Sequence, residues 1–177
     1  MVDINGTLGN DNLPGNPNPN GLNTDDTINA FAGNDRLIGG LGDDTLLGGS
    51  GNDGLVGVNS SVANPGQGEI DFLTGGADAD RFFLGNVNNV YYDDGNSSTS
   101  GTGDFGWITD FTIEDRIYLH GEASDYTLGS WSMIGPDGLV SGTGILLIDS
   151  NGSNELIGFV EGIFGLDLNS SNQFVYV

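Results

Sequence analysis

The chain has no cysteine and a single histidine, His120, in 177 residues. Disulfides and thiolate metal sites are thereby excluded, and no imidazole cluster can assemble for zinc. Positive charge is nearly as scarce: 3 basic residues stand against 25 acidic ones, for a formal charge of −22. A surface of that sign repels nucleic acid and anionic membranes. Long apolar runs are missing as well, and none approaches the ~18 residues of a membrane-spanning helix. The opening Met1-Val2-Asp3-Ile4-Asn5-Gly6 has neither the basic region nor the apolar core of a cleaved export signal.

Acidity of this order often accompanies disorder, but 36% of the residues are apolar and they recur with a fixed period. The length suits one domain, or two small ones, with a usable core. Glycine is abundant, with 32 residues, and its placement carries the most information. Gly39-Gly40-Leu41-Gly42-Asp43-Asp44-Thr45-Leu46-Leu47 is followed at once by Gly48-Gly49-Ser50-Gly51-Asn52-Asp53-Gly54-Leu55-Val56. Both blocks read G-G-x-G-x-D-x-U-x, where U is a large apolar residue. A repeat this short makes the chain wind as a coil.

The frame extends in both directions. Upstream, residues 30–38 carry Asp35 and Leu37, and residues 21–29 carry Asp26 and Ile28, with Thr24 in place of the fourth-position glycine. Downstream, residues 57–65 keep the length but lose the motif, with Val62 at the Asp position; the pattern returns at 66–74 (Asp71, Leu73) and 75–83 (Asp80, Phe82). An eighth unit at 6–14, with Asp11 and Leu13, precedes a Pro- and Asn-rich loop insertion at 15–20.

Each part of the unit has a physical task. Glycines permit positive φ and close backbone approach, so that successive carbonyls turn toward one point. The Asp supplies a hard anionic oxygen, which is what calcium selects. The closing x-U-x is a short strand with U pointing inward. Ile28, Leu37, Leu46, Leu55, Leu73 and Phe82 are expected to stack as a core. With two units per coil, Asp26, Asp44 and Asp80 should line one edge and Asp35, Asp53 and Asp71 the other, Val62 leaving a gap in the first.

On these residues the chain resembles the RTX family, the hemolysin-type calcium-binding repeat proteins. The resemblance implies a parallel β-roll with several Ca2+ ions held between neighbouring same-side turns. It implies as ligands the carboxylates of Asp11, Asp26, Asp35, Asp44, Asp53, Asp71 and Asp80. It adds the backbone carbonyls of Gly33, Gly39, Gly40, Gly42, Gly48, Gly49, Gly51, Gly75 and Gly76. Further on, the stretch from Trp107 to Leu119 looks like the I-x-D-F-x-x-x-x-D-x-I-x-L segment that follows such repeats in secreted bacterial proteins, which adds Asp110 and Asp115 as candidate metal ligands. It is particularly similar to calcium-binding RTX proteins common in cyanobacteria, which share a stretch like Tyr91-Tyr92-Asp93-Asp94-Gly95. Family members leave the cell by type I secretion with an uncleaved C-terminal signal. That implies an extracellular or cell-surface location without an N-terminal signal peptide. The end, Asn172-Gln173-Phe174-Val175-Tyr176-Val177, reads equally as such a signal or as a closing core strand.

The expected fold is therefore all-β. Residues 1–83 form a parallel β-roll of RTX nonapeptide repeats, with the loop insertion at 15–20 and the degenerate repeat at 57–65. Residues 84–177 form a loop followed by a small, mostly antiparallel β cap. Strand composition marks 107–108, 116–119, 144–148, 155–160 and 174–177, with a further strand at 90–92; Gly121, 135–138 and 150–153 mark turns.

Catalysis finds little support. Asp78 with Asp80, and Glu114 with Asp115, could be paired carboxylates for glycoside hydrolysis, but both pairs lie inside metal or turn motifs. His120 has no nucleophile context, and no H-E-x-x-H helix exists. The chain is read as a non-enzymatic secreted structural protein that folds on binding calcium. It is expected to self-associate through the roll ends into a homo-oligomer or filament, as part of a layer or matrix. Two alternatives stay open. One is a C-terminal secretion and folding module of a larger secreted enzyme. The other is a carbohydrate-binding module, in which Trp107, Trp131 and Tyr91-Tyr92 would stack on a polysaccharide.

Overall fold

The computed structural model describes residues 1–15, 24–96, 101–135, 138–148 and 154–177. Most of the insertion at 15–20, the start of the 21–29 repeat, the central residues of the turn at 135–138 and all of the turn at 150–153 lie outside the described residues. The described residues form fourteen strands: β1 (Asp3–Asn5), β2 (Asn12–Pro14), β3 (Thr27–Asn29), β4 (Arg36–Gly40), β5 (Thr45–Ser50), β6 (Gly54–Val58), β7 (Ile70–Ala77), β8 (Arg81–Phe83), β9 (Phe105–Ile108), β10 (Arg116–Leu119), β11 (Tyr126–Gly135), β12 (Gly138–Ile148), β13 (Asn154–Glu161) and β14 (Phe174–Tyr176). The described residues contain no α-helix, only a short 3-10 turn at Ala123–Asp125.

Glycine-rich turns reverse the chain after each three-residue x-U-x unit, so successive strands fall alternately into two sheets. One sheet has the order β1-β3-β5-β7-β9-β13-β12-β11, the other β14-β10-β8-β6-β4-β2. All neighbours are parallel except β13 with β12 and β12 with β11. This is an all-β fold of β-roll type with an antiparallel extension of one sheet.

The U residues stack in register. Ile4, Ile28, Leu46, Leu73 and Ile108 lie abreast in the first sheet, and Leu13, Leu37, Leu55, Phe82, Ile117 and Phe174 in the second. All six expected core residues, from Ile28 to Phe82, are fully buried. Each contributes roughly 1.5–3 kcal/mol of burial free energy. No helix or disulfide is needed, because each coil covers the apolar row of the next.

The degenerate unit at 57–65 does not form a half-coil. After β6 the chain leaves the roll as a loop and re-enters at β7, so that same-edge partners shift from 18 residues apart (Asp26 with Asp44) to 27 (Asp44 with Asp71). Nine inserted residues equal one repeat. The sequence frame passes through them undisturbed while the coil count does not. Asp71 therefore falls on the edge of Asp44, and Asp80 on that of Asp53. The expected edge sets, with Asp80 beside Asp44 and Asp71 beside Asp53, are corrected, and no gap arises at Val62.

The expected strand at 90–92 is also absent. Gly85 and Val90 make an isolated antiparallel bridge, and Tyr92 turns to a φ of 61° that no strand allows. Beyond it, β9, β10 and β14 continue the parallel sheets, and only β11, β12 and β13 are antiparallel to a neighbour. The apolar segment near the end forms β14 beside β10, with Phe174 buried next to Ile117.

Candidate metal centre

The repeat Asp residues form two hydrogen-bonded ladders. On the first edge, the backbone N–H of Val2 donates to Asp26 Oδ1 (2.8 Å), that of Asp26 to Asp44 Oδ1 (2.7 Å), and that of Asp44 to Asp71 Oδ1 (2.8 Å). On the second, the N–H groups of Asp11, Asp35, Asp53 and Asp80 donate to the Oδ1 atoms of Asp35, Asp53, Asp80 and Asp115 at 2.6–2.8 Å. One oxygen of each carboxylate thus ties its coil to the preceding one. A second ladder runs the opposite way. Asn10, Asn34 and Asn52 accept from the N–H of Asn34, Asn52 and Ala79 in the following coil, and Asp25 and Asp43 accept from Asp43 and Ile70. The signal for this outer ladder was in the sequence, as an Asn or Asp just before the repeat Asp.

The other oxygen sorts the sites. Oδ2 of Asp35, Asp44, Asp53 and Asp80 is buried with no hydrogen-bond partner among the described residues, as is Oε2 of Glu69. At three other positions the protein itself occupies Oδ2. Thr7 N–H and Oγ1 reach Asp11 (2.6 and 3.0 Å), Thr112 N–H and Oγ1 reach Asp115 (2.7 and 3.1 Å), and the Tyr92 hydroxyl reaches Asp71 (2.7 Å). Both oxygens of Asp110 accept from Gly75 and Gly76 N–H at 2.9 and 2.8 Å, so Asp110 clamps a turn.

A buried, donorless carboxylate oxygen is costly unless a cation meets it. Its electrostatics agree. Burial, reinforced by the charge of Asp71, pushes Asp44 up to about 8. Burial likewise raises Asp80 and Asp71 to about 7 and Asp53 to about 6. Arg81 moderates Asp53, whereas no arginine relieves Asp44. The difference follows from the sequence: Arg36, Arg81 and Arg116, the chain's only cationic side chains, each follow an Asp of the second edge and lie in one row across β4, β8 and β10.

The glycines make room for these oxygens. A Cβ on Gly39, Gly48 or Gly75 would overlap Oδ2 of Asp44, Asp53 or Asp80, respectively. For Asp71 that place is taken by Gly57, not by the glycine at the head of its sequence repeat, because the insertion separates the two. Gly42 has a φ of 115°, and a Cβ there would lie 2.7 Å from the Thr24 carbonyl carbon. Gly33, Gly40, Gly49, Gly51 and Gly76 share the positive φ. Hard carboxylate oxygens, backbone carbonyls in glycine turns and a large negative charge form a donor set that fits Ca2+.

Away from the turns, ligand atoms of Asp94, Asp104 and Glu155 lie within 4.8 Å of one another. Backbone N–H groups of Gly68 and Asp94 reach Asp104 and Glu155. The tyrosine-rich segment places Asp94 there, a role that no repeat pattern reveals.

A roll of nonapeptides with carboxylate-lined glycine turns defines a calcium-binding repeat protein. The family model described as the RTX calcium-binding nonapeptide repeat (HemolysinCabind, 4 copies) matches residues 20–55 and 66–91. RTX nonapeptide repeats bind Ca2+ ions, several per repeat region. The stretch between the two matches coincides with the loop that leaves the roll. No curated protein matches the chain.

Proposed function

We propose that this chain is a secreted structural protein whose roll folds on binding calcium and then assembles end to end in an extracellular layer, matrix or filament. The observation that carries the proposal is the set of four repeat Asp residues whose Oδ2 is buried without a donor. Asp35, Asp44, Asp53 and Asp80 are the side-chain ligands of this reading. The turn carbonyls of Gly33, Gly39, Gly40, Gly42, Gly48, Gly49, Gly51, Gly75 and Gly76 complete the coordination, and Asp26 extends the first row. Asp11, Asp71, Asp110 and Asp115, whose oxygens already accept from protein donors, serve to close and clamp turns. The chemistry supplied by calcium is charge neutralisation. Binding free energy becomes folding free energy, so a calcium-poor cytosol keeps the chain open for type I export and a calcium-rich exterior folds it.

Assembly is supported by the first coil. β1 and β2 are the outermost strands of their sheets among the described residues, and Met1 and Leu8 beside them are 83% and 84% exposed. Such edges accept further strands unless covered. The segments at 91–95 and 107–119 support kinship with the secreted cyanobacterial RTX proteins. Negative-stain microscopy and light scattering in millimolar calcium, then in chelator, test the assembly: monodisperse monomer under both conditions overturns it.

A second reading has its own observation. Phe72, Trp131, Met133, Asp43, Ser132 and Thr102 line a cleft of about 510 Å³ against the outer face of the first sheet. Half-exposed aromatics beside polar groups suit a saccharide. A glycan array with the calcium-loaded chain decides this, and silence across neutral and basic glycans removes it.

A further inference from the structure

We infer that Glu69, and not Asp71, supplies the second carboxylate of the calcium site between the turns at 39–44 and 67–71. This deepens the calcium-folded reading and rests on it.

Regular spacing assigns that role to Asp71, but both of its oxygens are taken. Oδ1 accepts from Asp44 N–H (2.8 Å), and Oδ2 from the Tyr92 hydroxyl (2.7 Å). The tyrosine is fully buried and anchored by its own N–H to the Pro65 carbonyl (2.8 Å). The inserted loop thus holds it in place, and the ring fills the space beside Gly57 and Gly106. At the next coil, Asp71 is paired with Gly106, which has no carboxylate to continue the ladder.

Glu69 lies two residues earlier, at the fourth position of the unit, where Gly42 and Gly51 stand in the regular repeats. It is only 3% exposed. Oε1 accepts from the N–H of Gly42 (3.0 Å), which brings the side chain across to the turn of Asp44, while Oε2 is buried and has no partner. Asp44 Oδ2 on the same turn is in the same condition. The two carboxylates repel one another, and Asp43 adds to that repulsion at Glu69. The corresponding acid on the second edge, Asp78, also accepts from a fourth-position glycine N–H (Gly51, 3.2 Å), but it is exposed and solvated. Of these two fourth-position acids, only Glu69 has an oxygen shut off from water with no proton donor among the described residues. A hard divalent cation satisfies Glu69 Oε2 and Asp44 Oδ2 together.

Equilibrium dialysis against saturating calcium, with bound calcium counted by atomic emission, tests the assignment on the full chain and on Glu69→Gln and Asp71→Asn. Gln keeps the acceptor for Gly42 N–H, so the turn persists, and circular dichroism in excess calcium checks that it does. Glu69→Gln is expected to bind one ion fewer than the parent, and Asp71→Asn the same number as the parent. An undiminished count in Glu69→Gln, or one ion lost in Asp71→Asn, overturns the inference. Should Glu69→Gln fail to fold, the anomalous signal of calcium in crystals of the unaltered chain decides: a peak bonded to Asp71 Oδ2 with Glu69 turned away refutes the assignment. A parent chain that binds no calcium refutes the broader reading instead, which is a separate outcome.

Discussion

Without calcium, the roll should gain stability on acidification, opposite to the behaviour of proteins held by ion pairs. Asp71 shows the size of the effect. Burial raises its pKa from 3.8 to about 7, even though Tyr92 and the Asp44 N–H both favour the ionised form. At about 1.4 kcal/mol per pH unit, ionised Asp71 costs the folded state about 4 kcal/mol relative to the open chain. The sign follows from proton binding. Between pH 4 and 7 the folded state holds a proton on Asp71 that the unfolded state has lost, so stability is fully present below about 4 and drains away as the pH rises through 7. Asp44, Asp80 and Asp53, raised to about 8, 7 and 6, act in the same direction. Typical domains hold only about 5–15 kcal/mol in total, so several such carboxylates exhaust the folded state at neutral pH. The assay is far-UV circular dichroism in chelator from pH 8 down to pH 5, just above the isoelectric region. The β signal should rise on acidification, whereas in millimolar calcium it should stay level across the same range. A chelated chain already β-rich at pH 8, or one whose signal falls toward pH 5, would refute the reasoning.

Three other perturbations probe separate links. Asp53→Asn keeps the acceptor for Asp35 N–H but removes a buried charge; calcium titration should show at least about a tenfold loss of affinity at one site, while Asp3→Asn on the exposed edge strand should match the parent. Gly51→Ala sets a Cβ against the Gly33 carbonyl oxygen at a φ of 115°. A loss of about 3 kcal/mol, seen as a drop of roughly 10 °C in Tm with calcium present, is expected, and an unchanged Tm would contradict the close packing of turns. Leu46→Ala opens the fully buried apolar row and should cost about 2–5 kcal/mol with the bound-calcium count unaltered, because the row and the turns are distinct parts of each coil.

The repeat period made the core legible residue by residue: U positions from Ile28 to Phe82 are all buried. Parallel pairing followed from the same period. What the period concealed was the coil count. Residues 57–65 looked like a worn repeat because nine residues were present, yet any excursion of nine residues leaves the frame intact. Only pairing in space reveals that Leu46 meets Leu73 and Leu55 meets Phe82. The role of Glu69 was hidden for a related reason. A fourth-position acid reads as erosion of the motif, and nothing in the period marks Glu69 as buried against the turn of Asp44. Tyr92 was legible only as an aromatic in a loop, since its contact with Asp71 spans 21 residues and requires a positive φ at a non-glycine position.

The two oxygens of each repeat Asp explain why a chain with a formal charge of −22 adopts a fold that buries its carboxylates. Oδ1 is used once per coil to bind the preceding coil, which positions the side chain identically at every turn and leaves Oδ2 on the inner side of the glycine loop. Without the ladder the carboxylates would swing out to water, and no row of sites would form. Without a cation the ladder itself is self-defeating, because each correct placement adds another buried negative charge next to the last. Where a row stops, the chain supplies its own donor. Thr7 does so at Asp11, Thr112 at Asp115 and Tyr92 at Asp71. These hydroxyl and amide donors end the ladders with neutral groups, so the last Asp of each row needs no ion of its own. On the proposed reading, calcium dependence is concentrated in the middle of the roll, at Asp35, Asp44, Asp53 and Asp80 with Glu69, where an oxygen is buried with no donor among the described residues.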